Sequence, residues 1–256
     1  MTDELEDHND DLPPYRERTA IAGGELVEAL SSLQLMDNPY LSMQIHNLAI
    51  VDQFIMELEE DVLQKLWAEE RTPPETMFLS AQSQMWIFAA YELMRTWREM
   101  AKDVLKLHKN GGLKLKIEAL KKPQGFVHVG REIRAEQLQR VMEDKTAISA
   151  IEEDLRLTHI PFGNLEFVRI SIAKHQVPGK AKQIAYAPGY GRINQWCGSL
   201  DYQLECGRVI LGQLSRRDIA DQLRAMNDRS KIPTDEEIDS FDEYMEGYKG
   251  NPFTYE

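Results

Sequence analysis

The strongest constraint on the fold is a long apolar pattern between residues 86 and 107. Apolar residues recur there in alternating steps of four and three, at Trp86, Ala90, Leu93, Trp97, Met100, Val104 and Leu107. A second apolar stripe runs beside it, at Ile87, Tyr91, Met94, Ala101 and Leu105. Stripes of this width are typical of an α-helix that neighbours cover on two sides. The pattern therefore predicts a helical bundle with both tryptophans in its core, and Gly111-Gly112 is expected to end this helix.

Periodicity predicts further helices on both sides of the first. One runs from Tyr40 to about Glu70, with Asn38-Pro39 suited to its start. Another is expected from Arg131 to about Thr158. The sequence HIPFG at 159–163 is predicted to break the chain, and Asn164 to cap a short helix from Leu165 to about His175.

The pattern changes in the last third of the chain. Residues 183–213 alternate aromatic and β-branched residues with turns, which predicts two or three short antiparallel strands. Ser215 is expected to cap a helix over 216–228, and Thr234 and Glu237 have the spacing of a capping box for a last acidic helix. The predicted fold is mainly α, an antiparallel helical bundle with a small antiparallel β appendage. The predicted segments are a disordered acidic segment at 1–20, the bundle at 21–176, the β appendage at 177–214, and C-terminal helices with an acidic tail at 215–256.

Charge is distributed unevenly along the chain. The net charge of −13 comes from the ends, because residues 1–11 hold six acids and residues 235–256 hold eight acids against Lys249. Residues 1–14 and 248–256 are accordingly predicted to be mobile. Residues 95–134 contain eleven Lys and Arg with four acids, and residues 169–192 contain five with no acid. Such stretches either attract phosphates or form solvated helix faces, and both interpretations stay open.

Several classes of protein and site are not indicated. No apolar run approaches the ~20 residues of a membrane span, and the acidic start is unlike a signal peptide, so no membrane partner and a cytoplasmic location are expected. Cys197 and Cys206 fit no metal spacing and are expected to be reduced thiols. Neither a metal nor a cofactor is predicted. The acidic runs Glu152-Glu153 and Glu59-Glu60-Asp61 are expected on exposed helix faces.

One segment suggests chemistry. Residues 166–175 read EFVRISIAKH, with Arg169 and His175 separated by five residues. Here the chain resembles the HEPN superfamily, helical bundles that share an Arg-x(4–6)-His motif on a late helix. The resemblance implies a metal-independent endoribonuclease of a toxin or antiviral defence system. It makes Arg169 the phosphate-stabilising cation and His175 the general acid–base, and Lys174, Lys180, Lys182 and Arg192 would then hold the RNA.

The residue types fit that chemistry. Histidine titrates near neutral pH and transfers protons, and the planar guanidinium of arginine suits a phosphate in its transition state. Six residues turn a helix by about 600°, so Arg169 and His175 lie about 120° apart on it. A homodimer meeting at this helix is therefore expected to complete the site. Single-stranded RNA and an inhibitory or antitoxin partner protein are the other expected partners.

Two alternatives remain open at this point. HEPN members that cleave RNA often carry Asn or Asp directly after the arginine, where this chain has Ile170. That difference favours a non-catalytic helical domain that binds a partner protein or a nucleotide. In a purely structural interpretation, Arg169 instead pairs with a carboxylate and His175 interacts with the dipole at a helix C-terminus.

Overall fold

The structure is a computed structural model and describes most of the chain. The backbone is described for residues 15–126, 128–174, 176–177, 180–184, 191–206 and 209–246, and side chains are not described within 174–184 or at 206 and 209. The termini that were predicted to be mobile, 1–14 and 248–256, lie outside the described residues.

The described chain is mainly α-helical, as predicted. Its helices are α1 Glu25–Ser31, α2 Pro39–Glu69, α3 Thr76–Lys109, α4 Leu113–Lys121, α5 Val129–Glu143, α6 Ala147–Leu157, α7 His159–Lys174, α8 Arg216–Arg224 and α9 Asp235–Glu246. Its strands are β1 Gln176–Val177, β2 Lys180–Ile184, β3 Arg192–Ile193, β4 Leu200–Cys206 and β5 Val209–Ser215. Strands β1 and β2 form an antiparallel pair, and β3, β4 and β5 form an antiparallel sheet in that order.

Helices α2 and α3 form the long hairpin on which the other elements pack. The Asn38 side chain accepts a hydrogen bond from the Tyr40 backbone N–H (3.0 Å) and caps α2 as predicted. The indole N–H of Trp86 donates to the Leu48 carbonyl across the hairpin (3.1 Å). The indole N–H of Trp97 donates a hydrogen bond to the Gln34 carbonyl (2.7 Å). Both tryptophans are buried, which confirms their predicted place in the core.

The β sheet and α8 share the hydrophobic core of the bundle. Leu200, Tyr202 and Leu204 of β4 are buried in the same apolar cluster as the α2 and α3 stripes. Leu223 of α8 is fully buried there as well. The sheet is therefore fixed to the bundle through apolar burial rather than attached only by its connections.

The single helix predicted over 131–158 is in fact two. Helix α5 ends at Glu143 and α6 begins at Ala147. Between them the Asp144 carboxylate accepts hydrogen bonds from the backbone N–H of Thr146 (2.8 Å) and from its hydroxyl (2.7 Å). Asp and Thr side chains compete in this way with helical backbone hydrogen bonds, which explains the break.

The break predicted at 159–163 is wrong, because α7 runs through that segment. Pro161 is the third residue of the helix, where its missing N–H costs nothing. Gly163 leaves room for Phe241 of α9, since a Cβ there would lie 2.6 Å from its ring. Asn164 is consequently no cap, and its side-chain amide donates to Gln222 (2.9 Å).

Other local predictions have clear outcomes. Ser215 caps α8 with a reciprocal bond to Asp218, and Thr234 and Glu237 form the expected capping box before α9. Of the segment predicted to be disordered, residues 15–20 are described and include a 3-10 turn at Arg18–Ala20. Helix α4 was not predicted.

Candidate nucleic-acid interface

Arg169 lies on α7 and is held against α3. Its guanidinium carbon is 4.8 Å from the centre of the Tyr91 ring, and its Nη2 is 3.9 Å from a Glu92 carboxylate oxygen. Its side chain is 25% exposed. The Tyr91 hydroxyl donates to Glu166 of α7 (3.1 Å), and burial together with that carboxylate raises the pKa of Tyr91. Arg169 therefore has a packing role, with part of its surface still accessible.

The other residues of the predicted ribonuclease site are only partly described. His175 lies outside the described residues, so its distance to Arg169 stays a prediction. Lys174 ends α7, and Lys180 and Lys182 belong to β2, with backbones described and side chains not. Arg192 is exposed on β3, opposite Asp201 of β4. Of this set, only Arg169 and Arg192 have side chains that the structure describes.

The basic stretch 95–134 separates into two groups once it is folded. Its four arginines are engaged: Arg95 with Glu92 and Glu99, Arg98 with Thr158 and the Leu155 carbonyl, Arg131 with the Ala119 and Leu120 carbonyls, and Arg134 with Gln137. Its seven lysines are exposed, and no carboxylate among the described residues pairs with them. They are Lys102, Lys106, Lys109, Lys114, Lys116, Lys121 and Lys122, here called the lysine surface.

The fold builds this surface from the end of α3 and the whole of α4. Gly111 turns the chain with φ +71°, and the Gly112 N–H donates to the Leu107 carbonyl (2.8 Å). Helix α4 then inserts Leu113 and Ile117, four residues apart, into the core. This anchoring turns the α4 lysines outward.

The local charge of the lysine surface is strongly positive. Between residues 102 and 122, seven lysines stand against two acids, Asp103 and Glu118, a net charge of +5. Lysines at the end of α3 also lie where the helix dipole favours cations. Unpaired ammonium groups on adjacent helix turns attract the phosphates of a nucleic acid.

An aromatic pair lies next to these lysines in the loop between α4 and α5. The Phe126 side chain is largely exposed, and its ring centre is 6.1 Å from that of His128. Three residues separate Phe126 from Lys122. An exposed aromatic ring beside cations offers a stacking surface to an unpaired base.

A second surface with aromatic and basic residues lacks free cations. It is a groove of about 350 Å³ with Trp67 and Trp196 exposed at its rim. Each of its arginines is paired with a carboxylate, as Arg16–Glu25 (2.7 Å), Arg18–Glu60 (2.6 Å) and Arg217–Asp221 (3.1 Å). Burial raises the pKa of the Cys197 thiol in this groove to about 12, which disfavours the reactive thiolate at neutral pH. The groove is therefore the weaker candidate for phosphate binding.

A cluster of buried charges between α2 and α8 is not predicted from the sequence. Glu59, expected to be exposed, is 1% exposed and binds Arg216 of α8 through two hydrogen bonds (2.9 and 2.7 Å). Asp52 of α2 binds both Arg216 and Arg224. Burial alone would lower the pKa of Arg216, but the two carboxylates outweigh it and raise that pKa. This cluster joins α8 to α2, and its enclosure gives it a structural role.

The positions of Asp52 and Glu59 in the sequence are sufficient to predict that they are buried. They stand seven residues apart, in step with the buried Leu48, Ile55 and Val62 of the α2 stripe. A carboxylate at a core position requires a buried cation.

The comparisons leave the family open. No protein-family model, no curated protein and no solved structure matches the chain. Among the described helices, none has the length and apolar character to cross a membrane. The described residues also contain no group of three or more His, Cys, Asp or Glu arranged to hold a metal ion.

Proposed function

We propose that the chain binds single-stranded RNA through the lysine surface. The observation that supports this is the set of seven exposed lysines without a carboxylate partner in the described chain, in contrast to the engaged arginines of the same stretch. Lysines that form no ion pair within the protein are available to bind the phosphates of a nucleic acid. Their binding releases the counterions that surround those phosphates.

The exposed aromatic ring favours a single strand as the ligand. Phe126 can stack on a base only if that base is not already stacked and paired in a duplex. Lysine ammonium groups act as point charges and follow a flexible backbone without reading its sequence. The proposed binding is therefore tolerant of sequence and strongly dependent on salt.

A salt titration with a labelled oligouridylate tests the proposal. Lys114, Lys116 and Lys121 replaced together by Ala should weaken binding and reduce the slope of log K against log salt by about 2, since each phosphate contact on a single strand contributes about 0.7. Arg71→Ala with Lys231→Ala, two exposed cations elsewhere, serves as the control and should leave the slope unchanged. An unchanged slope in the triple variant would refute the lysine surface as the RNA site.

RNA cleavage at Arg169 and His175 is a second proposal. Its support is that Arg169, the first residue of the HEPN-like motif, keeps a quarter of its side chain exposed on the late helix α7. The alternative to this activity is a non-catalytic helical domain that binds a partner protein or a nucleotide. The cytoplasmic location and the inhibitory or antitoxin partner protein stay predictions from the sequence.

A further inference from the structure

Within the part of the chain that the structure describes, helices α2 and α3 leave a broad apolar face uncovered. On α2 its exposed apolar residues are Met43, Ile50 and Phe54, and on α3 they are Met77, Phe78, Ala81, Met85 and Ala89. Met77, Ile50 and Met85 are the most open of these, with 80%, 67% and 64% of their surface exposed. These eight residues are called the hairpin face below.

The residues of the hairpin face come together across the two helices. On α2, steps of seven and four residues separate Met43, Ile50 and Phe54, and on α3 the residues after Phe78 follow at steps of three or four, which places each set along one side of its helix. The rings of Phe54 and Phe78 are in edge contact with centres 6.3 Å apart. The hydrogen bond from Trp86 to the Leu48 carbonyl shows that the same two helices stay paired six to eight residues further along. In that antiparallel register we expect Ile50 and Met85 to be neighbours, so that the apolar residues form one face.

The hairpin face is also free of charge. No Asp, Glu, Lys or Arg occurs at 38–51, 53–56 or 76–91, although 29% of the chain is charged. A face of this composition offers no electrostatic contact to a nucleic acid, and without lysines it gives little attraction to an anionic membrane surface. Uncharged apolar patches of this size are typical of protein–protein interfaces.

We propose that the hairpin face is the interface between two copies of this chain. Its six large side chains expose roughly 700 Å², taking about 200 Å² for a fully open one, which is close to the ~800 Å² per partner of a stable complex. Two chains of net charge −13 repel each other, and an uncharged face is where they meet at least cost. A two-fold axis would pack two helical hairpins into a four-helix arrangement, with Met43, Met77 and Met85 adapting to the fit.

This places a dimer elsewhere than the sequence suggested. The expected interface was the helix of Arg169, but in α7 the described side chains are buried or half-buried except for Ala173. The hairpin face has the free area that α7 lacks.

Light scattering coupled to gel filtration at micromolar concentration tests the proposal. The wild type should give about twice the 29.5 kDa of one chain. Ile50→Lys combined with Met85→Lys should give the single-chain mass, because four buried ammonium groups would face one another in the dimer. Met77→Lys alone, at the most exposed position, should raise the dissociation constant at least tenfold with an unchanged circular dichroism spectrum.

The matched control is Trp196→Lys with Ile210→Lys, two exposed apolar residues off the hairpin face. It should keep the dimer mass. A wild type that stays monomeric at micromolar concentration, or a dimer that survives all hairpin-face variants, would overturn the proposal. Capture of the monomeric wild type by neutral lipid vesicles would do so as well.

Discussion

The Arg169 guanidinium carbon lies 4.8 Å from the centre of the Tyr91 ring, with the side chain three-quarters buried. The same residue is the cation of the HEPN-like motif. Arg169 could therefore contribute to stability, to catalysis or to both. Measuring stability and RNA cleavage on the same variant separates the two roles.

The first prediction concerns that separation. Arg169→Ala should lower the free energy of unfolding by about 1–2 kcal/mol, since it removes the cation–π contact and its packing. It should also abolish RNA cleavage, whereas His175→Ala should abolish cleavage and leave the stability unchanged. Denaturant unfolding and a cleavage assay measure the two effects.

The expected product of cleavage has a 2′,3′-cyclic phosphate end, and EDTA should have no effect. If purified wild-type protein leaves single-stranded RNA intact, the cleavage proposal is wrong and only RNA binding remains proposed. A His175→Ala variant that cuts normally would remove the proposed general acid–base.

The second prediction concerns the buried ion cluster. Glu59→Gln should lower the free energy of unfolding by about 3–5 kcal/mol, because it removes one of the two buried carboxylates that bind Arg216. Glu60→Gln is the matched control on the next residue, where the pair with Arg18 is exposed to solvent and should contribute far less to stability. Equal losses in urea unfolding would contradict the structural role of the cluster.

The third prediction concerns pH. Burial, then the neighbouring Asp218, raises the pKa of Asp201 to about 6 against the hydrogen bond from Asn194. The folded protein thus holds this proton where the unfolded chain has lost it, so stability falls as pH rises from about 4 to 6. Asp201→Asn should raise Tm at pH 7.5 and change it little at pH 4. A variant with the wild-type slope of Tm against pH would exclude Asp201 as the source.

The fourth prediction concerns the turn before β4. Gly198 has φ +74°, and a Cβ there would lie 2.0 Å from the Glu59 carbonyl oxygen of α2. Gly198→Ala should cost more than about 2 kcal/mol, because a clash adds to the ordinary penalty for a positive φ. Gly125→Ala is the control, since Gly125 has φ +81° and open space around it. It should cost only about 1 kcal/mol in the same unfolding experiment.

Local signals in the sequence were sufficient for the helical frame. Asn38-Pro39 begins α2, and the stripe from Trp86 predicts α3, because burial of one face and capping are decided within a few neighbouring residues. The gap between α5 and α6 was missed because a side-chain turn at Asp144 leaves the apolar periodicity intact. The start of α7 was missed because Pro161 was interpreted as a break when it stands in a first turn.

The candidate site was predictable only in part. The excess of base in 95–134 is visible in the sequence, but the sequence does not tell which cations find partners inside the fold. The Arg98 guanidinium donates a hydrogen bond to Thr158, which is 60 residues away in the sequence, whereas the Lys114 side chain is exposed to solvent. Partners so far apart in the chain are set by tertiary packing and leave no local pattern.

The buried ion cluster has a consequence for the order of events during synthesis. Asp52 leaves the ribosome 164 residues before Arg216, and Glu59 leaves 157 residues before it. Until α8 has been made, the Asp52 and Glu59 carboxylates on the inward face of α2 have no arginine of α8 to pair with. Packing the bundle before that point would bury two unpaired charges, which is energetically unfavourable. We therefore expect the nascent chain to complete its core only after residues 216–224 have been made. Chains that stop short of Arg216 are expected to stay open to proteolysis.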